Sequence, residues 1–104
     1  DQAELDWRQE LGFYHALHGH ILAIRGENNA ALENARVARS LLPAARLHEA
    51  SILAIIAEAQ SRFALGEHAA AVSLLVDAAA RLRSAGELWL RTRVLNDLTF
   101  RLRT

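Results

Sequence analysis

GENNAALENARVARSLLPAA, residues 26–45, returns forty residues later as GEHAAAVSLLVDAAARLRSA, residues 66–85. Gly26, Glu27, Ala31, Ala38, Leu42 and Ala45 reappear as Gly66, Glu67, Ala71, Ala78, Leu82 and Ala85. Inside each copy the small and apolar residues recur at three and four, the period of a helix face. A repeat of roughly 20 to 50 residues built from helical segments means a stack of helix pairs, each burying its apolar side only against its neighbours. Such stacks usually hold partners and rarely do chemistry.

Outward from the two copies, the glycines act as punctuation. The segment from about Glu4 to Arg25 carries Leu5, Trp7, Leu11, Tyr14, Leu17, Ile21 and Ile24 at helical spacings and stops at Gly26. Glu27 opens a second helix, where its carboxylate suits the positive end of the helix dipole, and Pro43 ends that helix or begins the next. A third helix is expected from about Ala44 to Leu65, with Leu47, Ala50, Ala54, Ala57, Ser61 and Ala64 as a small-residue stripe beside Leu53, Ile56 and Phe63. Glu67 opens a fourth helix, and Glu87 a fifth that runs to about Arg103. The sequence therefore predicts an all-α fold of antiparallel helix pairs, about five helices or two and a half repeats, in a single domain over residues 1–104.

Composition narrows the function. The chain is 52% hydrophobic, which suffices for a core, and it has one Pro and no Cys, so packing alone must stabilise it. Twelve acidic residues balance twelve basic ones, leaving no net field to draw the chain to nucleic acid or an anionic membrane. Every basic residue is Arg, a bias attributable to high-GC coding or to design. No apolar run reaches the ~18 residues of a membrane span, and the acidic start Asp1-Gln2-Ala3-Glu4 is unlike a signal peptide. Without an initiating Met, the chain is expected to be a fragment of a longer cytoplasmic protein.

Candidate chemistry is sparse. His15 and His18 are three apart and His20 is nearby, yet neither a His-Glu-x-x-His spacing nor a Cys pair accompanies them, so no metal site is expected. The glycines form no phosphate-binding loop, the serines sit in helices rather than on a nucleophile elbow, and the acids are dispersed within reach of Arg, as Glu58 is of Arg62. We expect no enzyme activity and no cofactor. The one uneven charge feature is the cluster Arg81, Arg83, Arg91, Arg93, Arg101 and Arg103, which could face an acidic partner; with few interleaved aromatics, direct nucleic-acid binding is not expected.

Gly19, Gly26, Ala31, Ala38 and Pro43, with Leu22 and Ala35, resemble the tetratricopeptide repeat in residue type and spacing. The second copy keeps Ala59, Gly66, Ala71, Leu75 and Ala78 but lacks the Pro, and its first helix is about six residues longer. His15, His18 and Glu58 depart from the pattern by placing polar groups on core lines. The phrases Ser84-Ala85-Gly86-Glu87 and Arg93-Val94-Leu95-Asn96-Asp97-Leu98 look like repeats of bacterial regulators. The resemblance implies a right-handed stack with an inner wall that holds partners. Carried over position by position, that wall takes Phe13, Ala16, His20 and Ala23, then Leu53, Ile56, Gln60 and Phe63, then Arg93, Asn96, Phe100 and Arg103. The family's carboxylate-grasping set is not reproduced on it, so capture of an acidic tail there is not implied.

The expected role is thus a non-catalytic protein or peptide scaffold, or an oligomerisation element, in a bacterial regulatory or signalling protein. A small-ligand or peptide sensor domain is the alternative, with Gln60, His20 and Asn96 as its polar handles. Because a third repeat begins at Gly86 and lacks its second helix, Leu95, Leu98, Phe100 and Leu102 are expected to leave apolar surface bare, which suits a homodimer or a further stacked repeat.

Overall fold

A computed structural model describes residues 2–42, 49–85 and 93–98. Helices α1 (Gln2–Ile24), α2 (Asn28–Leu41), α3 (Glu49–Ala64) and α4 (His68–Ala85) follow one another in two antiparallel pairs. A fifth helical stretch covers 93–98, and the described residues contain no strand. The expected helix starts at Ala44 and Glu87, the proline at Pro43, and Phe100, Leu102 and Arg103 all lie outside the described residues.

The repeated glycines do what their position requires. Gly26 and Gly66 have φ of +79° and +88°, the left-handed region that costs other residues roughly 1–2 kcal/mol. In the first turn the Gly26 amide donates to the Ala23 carbonyl at 3.1 Å, and Glu27 to Leu22 at 2.9 Å. In the second, Gly66 donates to Phe63 at 3.1 Å and Glu67 to Arg62 at 2.8 Å. Both are Schellman turns, which satisfy the last carbonyls of a helix. Each also starts the next helix at once, since the Glu27 and Glu67 carbonyls accept from Ala31 and Ala71. At the far end of α2, Leu42 is extended, as expected of the residue before a proline.

Small residues then set the helix spacing. A Cβ on Gly19 would stand 3.3 Å from the Ala31 carbonyl oxygen and from the Ala35 amide nitrogen, so α1 and α2 meet nearly backbone to backbone. Ala31, Ala35, Ala38, Ala59, Ala71 and Ala78 are all buried, as the repeat requires. α1 packs on α2 and α3, α2 on α3, and α3 on α4. Residues 50–57 of α3 are buried without a break, because this helix is enclosed on several sides. One cluster joins Ala16, Ala35, Ala38, Leu42, Ala50, Leu53 and Ala54. The other joins Ile52, Ile55 and Ile56 to Leu75, Ala78, Leu82 and Val94, with Leu95 and Leu98 packed against it.

That enclosure changes the expected roles of several side chains. Ala16, Leu53 and Ile56 belong to the core clusters and offer a partner no surface. Leu95 and Leu98 are half-buried on the α3–α4 core, so their apolar area is largely spent inside the chain. The apolar residues left most uncovered lie on α1 instead, with Ile24 67% and Trp7 62% exposed.

Ala38 and Ala78, at 0% and 1% exposure, have no room for four-carbon side chains. Ala38→Leu or Ala78→Leu is expected to cost about 1–3 kcal/mol through overpacking. Thermal melts check this, and a leucine variant as stable as the parent would remove the close-packed pair from the account.

Candidate functional site

Two faces carry polar side chains beside apolar ground. The first is the expected inner wall. His20 on α1 is half-buried and lies within electrostatic reach of Arg93 and Asp97 on the stretch 93–98. The structure thus brings together the expected His20 and Arg93, and adds Asp97. Gln60 and Phe63 are also half-buried, whereas Phe13 and Asn96 are exposed. Phe63 is already engaged, stacked on the His68 ring at a centroid distance of 4.2 Å and packed against the α3–α4 core. His20 Nδ1 and Gln60 Oε1 are buried and find no hydrogen-bond partner among the described residues, which costs free energy unless an occupant satisfies them.

His15, a polar residue on a core line, is by contrast satisfied. Asn34 Nδ2 donates to the Ala30 carbonyl at 2.9 Å, which turns its Oδ1 toward His15 Nδ1, also at 2.9 Å. An oxygen there requires His15 Nδ1 to carry the hydrogen. His18 instead lies beside the Tyr14 ring, 5.8 Å between centroids. Among the described residues, no three His, Asp or Glu side chains converge as a metal site would need.

The second face was not legible in the sequence. Among the described residues α2 and α4 do not meet. Between them runs a groove of about 610 Å³ whose floor is α3, with buried Ser51 and Ile55 below and Arg36, Arg39, Arg62 and Arg81 along its sides. Four guanidiniums stand against two carboxylates, Glu33 and Glu58, so the lining is net positive. Of the Arg-rich cluster foreseen from the sequence, Arg81 lines the groove and Arg93 lies within electrostatic reach of His20, whereas Arg91, Arg101 and Arg103 lie outside the described residues.

Glu58 organises this groove. Its side chain is 13% exposed and accepts from two helices, from Arg39 of α2 at 2.6 Å and from Arg62 of α3 at 3.0 Å. Arg62 reaches on to Glu67 in the turn at 3.3 Å. The hydrogen bond to Glu58 raises the Arg62 pKa above its ordinary value, so the guanidinium stays charged. At the rim, Arg36 donates to Glu33 at 2.6 Å and holds that carboxyl below the usual range. Both rim side chains are well over half exposed, so this pair is weak and open to exchange. Arg36, Arg39 and Arg62 come from positions that read as ordinary solvated helix charges, and only a structure brings them to one groove.

Electrostatics at the first face generate a pH dependence. Burial, reinforced by the positive charge of Arg93 and opposed by Asp97, lowers the His20 pKa below its ordinary 6.5. The unfolded chain therefore holds this proton more tightly, and the contribution of neutral His20 is complete above 6.5 and lost as pH falls through the lowered native value. Denaturant titrations from about pH 7 to pH 5 should show stability falling, with a shallower fall for His20→Gln. Equal slopes for the two proteins would refute the assignment.

No protein-family model, no curated protein and no solved structure matches this chain, and the functional reading accordingly rests on these two faces.

Proposed function

We propose that the chain is a non-catalytic, tetratricopeptide-like scaffold that holds a protein or peptide partner, as part of a cytoplasmic bacterial regulatory or signalling protein. The observation that carries this reading is the groove between α2 and α4, lined by four arginines over a floor of buried Ser51 and Ile55. Its chemistry suits an extended acidic segment with occasional apolar residues. Carboxylates would exchange with Glu33 for Arg36 and engage Arg81, while an apolar side chain would lie over Ile55 and Leu42.

The spread of guanidiniums from α2, α3 and α4 around the groove suits a polypeptide with several carboxylates over a small inducer with one. His20 and Gln60 on the other face are a second place where a partner would gain hydrogen bonds. The likeness to bacterial regulators in the last helix supports the placement in a larger signalling chain, and no helix among the described residues is long and apolar enough to cross a membrane.

The test is a titration of an Asp- and Leu-containing decapeptide against the chain, followed by amide chemical shifts. Shifts are expected at Asn29, Leu32, Ser40 and Ile55, with affinity falling about tenfold on Arg36→Glu, the equivalent of about 1.4 kcal/mol. Glu58→Gln is expected to do the opposite and tighten binding, because it releases Arg39 and Arg62 from their shared carboxylate. A merely structural role for Glu58 would give no such gain. Shifts confined to α1 and 93–98 would move the site to the first face, and affinity indifferent to both variants would defeat the groove.

A further inference from the structure

α1 has two apolar sides, and only one of them meets the rest of the chain. Gly12, Ala16, Gly19 and Leu22 form the buried side. On the opposite side Ala3, Trp7, Glu10, Tyr14, Leu17, Ile21 and Ile24 follow one another at alternating steps of four and three over the whole helix. That is the a and d seam of a heptad repeat, with Trp7, Tyr14 and Ile21 at a and Glu10, Leu17 and Ile24 at d. All these residues are exposed. Of the nine exposed large hydrophobics among the described residues, five lie on this one line, while Leu65 and Val76 lie elsewhere. A strict heptad seam suits another helix lying along it, and a globular helix facing water has no use for one.

We propose that this seam pairs antiparallel with α1 of a second copy of the chain, as a two-helix coiled coil about a twofold axis. The seam is complementary to itself in that direction. Antiparallel packing sets each a residue against a d residue of the partner helix, so that Trp7 meets Ile24, Tyr14 meets Leu17 and Ile21 meets Glu10, each contact occurring twice. Large aromatic rings fall opposite aliphatic residues, which fills the layers evenly. Glu4 and Arg25 flank the seam near its two ends, and the same register places them beside each other across the interface with opposite charge. Arg25 is free to share itself, since its bridge to Glu27 is widely exposed and therefore weak.

Parallel pairing is the poorer match. It would stack Trp7 on Trp7 and bring two Glu10 carboxylates face to face at a d layer, and a like-charge contact at the seam works against that orientation. In the antiparallel register the single Glu10 lays its stem over Ile21 and keeps its carboxylate at the rim. The interface leaves the α2–α4 groove uncovered, so self-association and the binding of an acidic segment are independent events.

Sedimentation equilibrium of the 104-residue chain over a micromolar concentration series tests the pairing. A monomer–dimer equilibrium is expected, with Leu17→Glu raising the dissociation constant at least about a hundredfold, whereas Val76→Glu, exposed on α4, leaves it unchanged. Circular dichroism keeps the result interpretable, since Leu17 belongs to neither core cluster and its replacement should retain the helix signal. Orientation is read by cross-linking, for which a chain without cysteine is a clean background. Mixing Trp7→Cys protein with Ile24→Cys protein under mild oxidation should give a mixed disulfide, and Ile24→Cys protein alone should give little. A chain that stays monomeric throughout, a dimer indifferent to Leu17→Glu, or efficient cross-linking of Ile24→Cys with itself would each overturn the proposal.

Discussion

Two backbone hydrogen bonds, Glu27 to Leu22 and Glu67 to Arg62, carry more of this architecture than any side-chain contact. Each closes a helix and lets the chain reverse within three residues, which is possible because a glycine at the same point takes a left-handed conformation. The reversal sets how far α2 is offset from α1, and α4 from α3, so that alanines meet alanines along both pairs. A bulkier turn would displace Ala31 from Gly19 and open the near-contact of the two backbones. The forty-residue echo is, in physical terms, one turn used twice.

α3 then decides which surfaces remain. Because the other helices bury against it, nearly all its apolar residues go to the core, and its charged residues Glu58 and Arg62 are left half-buried beside the groove. Glu58 occupies a position where the repeat pattern asks for an apolar residue, and it is tolerated there because two guanidiniums satisfy its two oxygens. The same carboxylate keeps Arg39 and Arg62 from repelling each other across the gap between α2 and α4. The groove is therefore a positive surface whose Arg39 and Arg62 are already held by an internal anion, with which an incoming carboxylate must compete.

The helix ends and starts beside Gly26 and Gly66 were legible in the sequence to within a few residues because glycine conformation and helical periodicity are local properties. The buried alanines of the repeat were legible for the same reason. Side-chain roles that depend on a third element were not. Leu53 and Ile56 read as wall residues from the resemblance, yet the enclosure of α3 places them in the core. The arginines of the groove come from α2, α3 and α4 at unrelated spacings, and no periodic signal links them. His20 and Arg93 were both expected on the inner wall, but Asp97 beside them could only be identified once the chain had folded back. The seam on α1 was written in the sequence all along. What the spacing could not tell is that this side faces away from the rest of the chain, while Gly12, Ala16, Gly19 and Leu22 are the residues buried.

The encounter of His20 with Arg93 and Asp97 also bears on how the chain folds. Helix stacks of this kind are dominated by contacts between near neighbours in sequence, and such low contact order goes with rapid folding from any point along the stack. Here the first helix also reaches a segment close to the other end of the chain. An approach of that span pays a larger loop-closure entropy than either hairpin turn. The two glycine-ended pairs can close locally, whereas bringing His20 within electrostatic reach of Arg93 and Asp97 depends on the whole of the intervening chain.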